Sequence, residues 1–376
     1  MMTKDRKQSQ LFAASAHLKN CRAAKQEVSR HLLISEPSNI EGAVRRLVPA
    51  APSQLRGNVV GVAISEKVSE GRRTGVLSVV YLVRRKFRLA HVLKAHRIPK
   101  AIAGVPTDVI EVGLVRRFAT NARKASSRKR AAPPARARKL SDTEVAAALD
   151  AAVPDPKRRI RPASPGCSIG YVDPFGFVMA GTFGAVVKDA AGQLLILSNN
   201  HVLSDEGQLV LGSPICQPGT LDGGIPATDQ IASLTRFVPY SFTSPNHVDC
   251  ALAAIISDDL VTPDIPNIGH PSGIKQAAPD MVVERYGRTS SFSVGHVKSI
   301  EADVTVKYDT GNYVFKGQIM IESLDDSGFG DVGDSGSLIL ERGTGHAIGL
   351  LFSGSSSHAF ANHIGDVLQA LNVQLA

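Results

Sequence analysis

From residue 161 to the end, the chain is written in short apolar runs broken by Gly, Pro and Asp, with no long helical period between them. The runs at 178–187, 194–198, 232–238, 250–255, 282–284, 295–299, 304–307, 319–321, 337–340 and 347–352 read as strands. Segments this short cannot bury themselves singly. They close or stack into sheets, so a mainly β barrel or sandwich is predicted, with residues 362–371 as a closing helix.

The text before residue 161 is different. Leu11, Ala14, Leu18, Cys21, Val28 and Leu32 fall at helical spacing over 9–34, and Lys25 interrupts the apolar stripe. Strands are predicted at 57–65 and 76–83, joined by a hairpin at 70–75, then a short helix at 89–96 and a strand at 107–112. Together these form a small α+β unit. The division is therefore an N-terminal helical segment (1–57), the α+β unit (58–118), a linker (119–160) and a β domain (161–376).

The linker is where the charge lies. Residues 116–161 hold fourteen Lys and Arg against four Asp and Glu, while the whole chain is only +9. With Phe118 as the one aromatic, this stretch buries too little apolar surface to order itself. Within it, Ser141 and Glu144 make a capping-box pattern that opens a helix at 145–152. Three readings stay open: a solvated tether, an anion-binding segment, or a site of self-processing. Bases find no aromatic platform, so nucleic acid is not expected as a partner. A homo-oligomer built through the N-terminal region is.

Four cysteines, Cys21, Cys167, Cys216 and Cys250, form no C-x-x-C pair, so neither a zinc site nor a disulfide scaffold is predicted. The N-terminus lacks the apolar core of a signal peptide, and no run reaches the length of a membrane span. A cytoplasmic protein without metal or organic cofactor is the expectation.

Chemistry concentrates at Gly333-Asp334-Ser335-Gly336-Ser337. A serine on a glycine-bounded turn sits beside backbone N–H groups that can converge on one oxygen, as acyl transfer requires. Upstream, His201 follows the apolar run 194–198, and Asp249 heads the run 250–255. An acid entering an apolar segment needs a hydrogen-bond partner, and a histidine Nδ1–H is a suitable one. Singly, each has a plain reading as a cap or turn residue. In the chain order His, Asp, Ser they differ from the subtilisin and α/β-hydrolase arrangements.

At these residues the chain resembles the trypsin-like serine peptidases. The likeness extends to Gly181-Thr182-Phe183-Gly184, Tyr286-Gly287-Arg288-Thr289 and Ala347-Ile348-Gly349-Leu350-Leu351-Phe352-Ser353-Gly354. More narrowly it resembles the bacterial relatives of the plant narrow-leaf-type proteins, on Leu197-Ser198-Asn199-Asn200-His201, on Cys216-Gln217-Pro218-Gly219 and on residues 98–113. The resemblance implies a two-barrel fold and a serine endopeptidase. Ser335 would be the nucleophile, His201 the base, Asp249 its orienting acid, and the N–H groups of Gly333 and Ser335 the oxyanion donors. Phe329, Phe352, Ser353 and Gly354 would bind a peptide substrate. No Ile-Val-Gly-Gly follows a basic cleavage site, so activation by a freed amino terminus pairing with Asp334 is not expected. Two other classes remain: a silent scaffold or interaction module on the same fold, and a nucleic-acid-associated factor led by the linker.

Overall fold

The computed structural model describes residues 16–33, 57–94, 97–118, 120–123, 154–173, 175–325 and 328–376. Its C-terminal part is two β barrels. In the second, the strands Val282–Gly287, Leu338–Glu341, Ala347–Gly354, His358–His363, Asn312–Ser323 and Ser291–Lys307 pair in that order, and the last pairs back with the first. Val283, Val297, Ile319, Ile321, Ile339 and Leu351 fill its interior.

The first barrel runs through Pro214–Cys216, Gln230–Phe237, Ala251–Ile255, Leu194–Ser198 and Ala185–Lys188. It closes because Gly170 bridges Cys216, and because the strand Phe177–Thr182 runs on almost directly into Ala185–Lys188. Met179, Val186, Ile196, Ile215, Ile231 and Ala253 make its core. Between the barrels lies a third apolar layer. Leu195, Leu197 and Leu252 of the first meet Leu338, Leu340 and Leu350 of the second, under the helix Ile364–Leu371. Burial on both faces explains why these strands read as continuous apolar runs.

The α+β unit continues the second barrel's sheet. Ser291–Lys307 is one strand of 17 residues, not the two predicted at 295–299 and 304–307. Its register slips between Ser299 and Val304, which let two apolar runs with a break read as separate strands. Beyond the barrel its outer half pairs with Val59–Ser69, placing Gly61 opposite Val304. Gly61 permits this close approach, since a Cβ there would lie 2.6 Å from the Asp303 carbonyl oxygen. Val59–Ser69 pairs antiparallel with Arg72–Val83, which pairs in parallel with Val105–Glu111.

The helix Ala16–Leu32 packs on this sheet through Leu18, Cys21, Ala24 and Val28 against Val62, Ile64, Val79 and Tyr81. Lys25, the break in the apolar stripe, has a partner: its Nζ donates to Asp303 Oδ1 at 2.8 Å and to the Glu301 carbonyl at 3.2 Å. All four cysteines are buried and free. Among the described residues, no helix is long and apolar enough to cross a membrane.

Two expectations are corrected. Among the described residues of 89–96, the expected helix is only the 3-10 turn Leu89–His91; Leu89 and Leu93 are exposed and give no face to pack. Within the segment expected to be largely disordered, Thr120–Arg123 is a strand paired antiparallel with Phe177–Ala180. Backbone pairing orders it where side chains alone could not. The helix expected at 145–152 lies outside the described residues.

Removing Lys25 leaves the buried Asp303 carboxylate without its cation. Lys25→Ala is expected to destabilise the chain by on the order of 3 kcal/mol in urea unfolding, and Lys25→Met with Asp303→Leu to recover most of it. Equal losses in the single and double variants would show that the pair is not what holds the helix.

Candidate active site

The buried strand Leu194–Ser198 is clamped between Ala185–Lys188 and Ala251–Ile255. It ends at Asn199, and one helical turn, Asn200–Leu203, carries His201 at the interface of the barrels. Asp249, just before Ala251–Ile255, is brought beside it by strand pairing. His201 Nδ1 is 2.5 Å from Asp249 Oδ2. An ionised carboxylate only accepts, so Nδ1 carries the proton and Nε2 is left with its lone pair in the neutral ring.

Asp249 is held from every side. The N–H groups of Asn200 and His201 donate to Oδ1 at 2.8 and 3.4 Å, and Tyr308 Oη donates to Oδ2 at 2.7 Å. Its own N–H donates to Asn362 Oδ1 at 2.9 Å. Burial pushes the carboxyl upward, but His201 and the Tyr308 hydrogen bond outweigh it and hold the group below the usual carboxylate value. Burial and the Asp249 charge push the Tyr308 phenol well up, so it remains a donor.

The serine turn is shaped by two glycines with φ of 107° at Gly333 and 95° at Gly336, a region costly for other residues. Asp334 turns inward to a buried ion pair with Arg285 at 2.9 Å. It also accepts from Thr289 N–H at 2.8 Å, Ser290 Oγ at 2.6 Å and Asp331 N–H at 2.9 Å. Desolvation opposes ionisation here, yet Arg285 and these donors keep Asp334 below the ordinary value. An internal arginine thus satisfies the aspartate. The Gly287-Arg288-Thr289 element completes the fastening, for Thr289 Oγ1 donates to Val332 O at 2.8 Å.

The N–H groups of Gly333 and Ser335 converge on one oxygen, the Phe118 carbonyl, at 2.5 and 3.3 Å. The Phe118 N–H donates to Ser335 Oγ at 3.0 Å, and Ser335 Oγ donates to the Phe352 carbonyl at 3.0 Å. Among the described residues the buried His201 Nε2 has no hydrogen-bond partner, so the Ser–His bond is not made in this structure. Ser353 and Gly354 pair antiparallel with Arg117 and Arg116. Phe352 offers its carbonyl while its ring packs 4.8 Å from Phe315. Phe329 is buried in the apolar cluster that also holds Phe118, and its ring stacks on Arg285 at 5.4 Å.

Of the residues expected at the site, His201 and Asp249 pair with each other, and Gly333, Ser335, Phe352, Ser353 and Gly354 gather around the segment Arg116–Phe118, whereas Phe329 lies in the apolar cluster inside the second barrel. Sequence reading missed Tyr308, Asn362, Arg285, Glu206 and the segment Arg116–Phe118. Among the described residues, no group of three or more His, Cys, Asp or Glu side chains is arranged to hold a metal.

Loss of Arg285 would leave Asp334 charged and buried. Arg285→Met is expected to cost about 3–5 kcal/mol near neutral pH. Because the folded carboxyl is depressed, its contribution is complete above the unfolded value of about 3.9 and is lost as pH falls through the folded one. The gap between wild type and variant in urea unfolding should narrow on going from about pH 7 to below about pH 4. An unchanged gap would contradict a charged pair.

No protein-family model and no curated protein matches this chain. Solved structures do. The chain is similar to Thermobifida fusca protease A (20% identity, 57% of this chain and 99% of that one, TM-score 0.40). It is also similar to the Nocardiopsis protease NAPase (20% identity, 57% and 99%, TM-score 0.41). A glutamic-acid-specific serine protease described as using a histidine triad in substrate binding matches at 16% identity over 57% and 100%, with a TM-score of 0.40.

Proposed function

We propose that the protein is a serine endopeptidase of the trypsin-like type. The observation that carries this reading is the convergence of the Gly333 and Ser335 N–H groups on a peptide carbonyl oxygen, beside the Ser335 hydroxyl. Donors fixed in that way stabilise the oxyanion formed when a serine attacks a carbonyl carbon, and they need no reorganisation as charge develops.

Ser335 Oγ leaves the Phe352 carbonyl by rotation about its Cα–Cβ bond and gives its proton to His201 Nε2 while attacking the substrate. Asp249 stabilises the imidazolium and fixes the tautomer, and Tyr308 fixes Asp249. The proton then passes to the leaving amine, and water hydrolyses the ester by the reverse sequence. Substrate is held as an added strand along Ser353 and Gly354. A silent scaffold draws its support from the missing Ser335–His201 bond and from the chain segment lying in the cleft.

A fluorophosphonate probe separates the two. Labelling is expected at Ser335, lost in Ser335→Ala, and in His201→Ala slowed by at least about a thousandfold. Absence of labelling in both wild type and Phe118→Asp, whose side chain cannot remain in the apolar cluster, would sink the peptidase reading.

Tyr308→Phe should lower kcat/KM on a short peptide by about tenfold to a hundredfold through kcat, with KM unchanged, as loss of a donor to a charged group implies. A change confined to KM would assign Tyr308 to substrate binding instead.

A further inference from the structure

The strand that crosses the cleft belongs to the chain itself, and it lies in the register of a substrate. We propose that the protein cuts its own backbone after Phe118; this rests on the peptidase reading above. Four observations meet on this one bond.

First, the Phe118 carbonyl oxygen is the atom held by the Gly333 and Ser335 N–H groups. Second, the residues before it run antiparallel to the strand Ala347–Gly354, Arg117 opposite Ser353 and Arg116 opposite Gly354. Third, the backbone beyond it pairs with the other barrel, Thr120 opposite Ala180 through Arg123 opposite Phe177. The chain before the bond thus pairs with the second barrel, and the chain from Thr120 on pairs with the strand Phe177–Thr182 that leads into the first. Fourth, the two side chains nearest the bond have fitted surroundings.

The Phe118 ring lies where glycines leave space. A Cβ on Gly354 would come within 2.5 Å of its Cε2, and one on Gly330 within 3.2 Å. Arg117 reaches an acidic wall: its Nε is 3.4 Å from Glu206 Oε1, and its Nη2 bonds Asp309. Glu206 is itself buried and fastened by the N–H groups of Asp309 and Thr310 at 3.1 and 2.9 Å. Such a cleft selects an arginine followed by a large aromatic residue, with cleavage after the aromatic. It fits the chain's own Arg117-Phe118.

The step balances without any further reactant than water. Ser335 Oγ bonds the Phe118 carbonyl carbon and its proton goes to His201 Nε2. The bond to the nitrogen of residue 119 breaks, and that nitrogen takes the proton as a new amino terminus. Water then releases Phe118 as a carboxylate and returns the proton to Ser335. The reacting groups share one chain, so the reaction is unimolecular and benefits from a high effective concentration. The two pieces should remain together, because Val59–Ser69 stays paired with Ser291–Lys307.

Intact mass and terminal sequencing of purified full chain, with fluorophosphonate labelling in parallel, test this. The expected result is a fragment ending at Phe118 and one beginning Ala119-Thr120-Asn121, appearing at a rate independent of protein concentration and absent in Ser335→Ala. Arg117→Glu, which sets an acid against Glu206 and Asp309, should slow the cut by at least about tenfold. Phe118→Asp should prevent it while Ser335 still labels.

A wild-type chain that labels but stays whole would overturn self-cleavage and leave the peptidase reading intact. A cut that persists in Ser335→Ala would assign it to another protease and also overturn the proposal. Neither cutting nor labelling, in wild type and Phe118→Asp alike, would remove both.

Discussion

The buried pair between Arg285 and Asp334 is the constraint on which the site depends. Both side chains are out of contact with solvent, and four further donors turn the carboxylate inward. With Asp334 fixed, Gly333 and Ser335 must present their N–H groups to one side of the turn. Two buried charges are costly to desolvate, and replacing such a pair by apolar groups often stabilises a protein. What the pair supplies here is geometry: it fixes the direction in which the Gly333 and Ser335 N–H groups point. Arg285 sits in the barrel strand Val282–Gly287, so the turn is tied to the fold itself.

A second dependence runs through the long hairpin formed by Ser291–Lys307 and Asn312–Ser323. Its base closes the second barrel and its outer half carries the sheet of the α+β unit, with Asp303 fastened to Lys25 of the N-terminal helix. Its tip supplies Tyr308 to Asp249, and Asp309 and Thr310 to Glu206. At this tip the Tyr308 ring packs on Phe315, and Phe315 packs on Phe352. The acid of the His–Asp pair is thus steadied by the element that anchors the N-terminal half of the chain. The segment Arg116–Phe118 leaves that half directly into the cleft, bracketed by Lys307 on one side and Gly354 on the other.

Much of this was legible because certain residues announce local geometry. Gly333 and Gly336 mark positive φ, and the apolar run ending at His201 marks a buried strand with a rigid end. Asp249 at the head of an apolar segment signals a carboxylate in need of a partner. Tyr308, Arg285 and Glu206 carry no such signal. Each acts across a distance in sequence that only sheet closure brings together, and each sits among residues that read as ordinary strand or turn. Lys25 looked like a flaw in an amphipathic stripe, whereas its counter-ion lies 278 residues away. The linker misled for a different reason. Composition reports whether a segment can bury its own side chains, and 120–123 is ordered by backbone hydrogen bonds to Phe177–Ala180. Phe118, the one aromatic at the start of that basic stretch, was the available hint.

The cleft holds the chain's own Phe118 carbonyl in the cradle beside Ser335. A crystal structure of the full-length Ser335→Ala chain, which cannot react, tests this most directly. The expected result is residues 116–117 antiparallel to Ser353 and Gly354, with the Phe118 oxygen within hydrogen-bond reach of the N–H groups at 333 and 335. An open cleft, or that segment packed elsewhere on the protein, would contradict it.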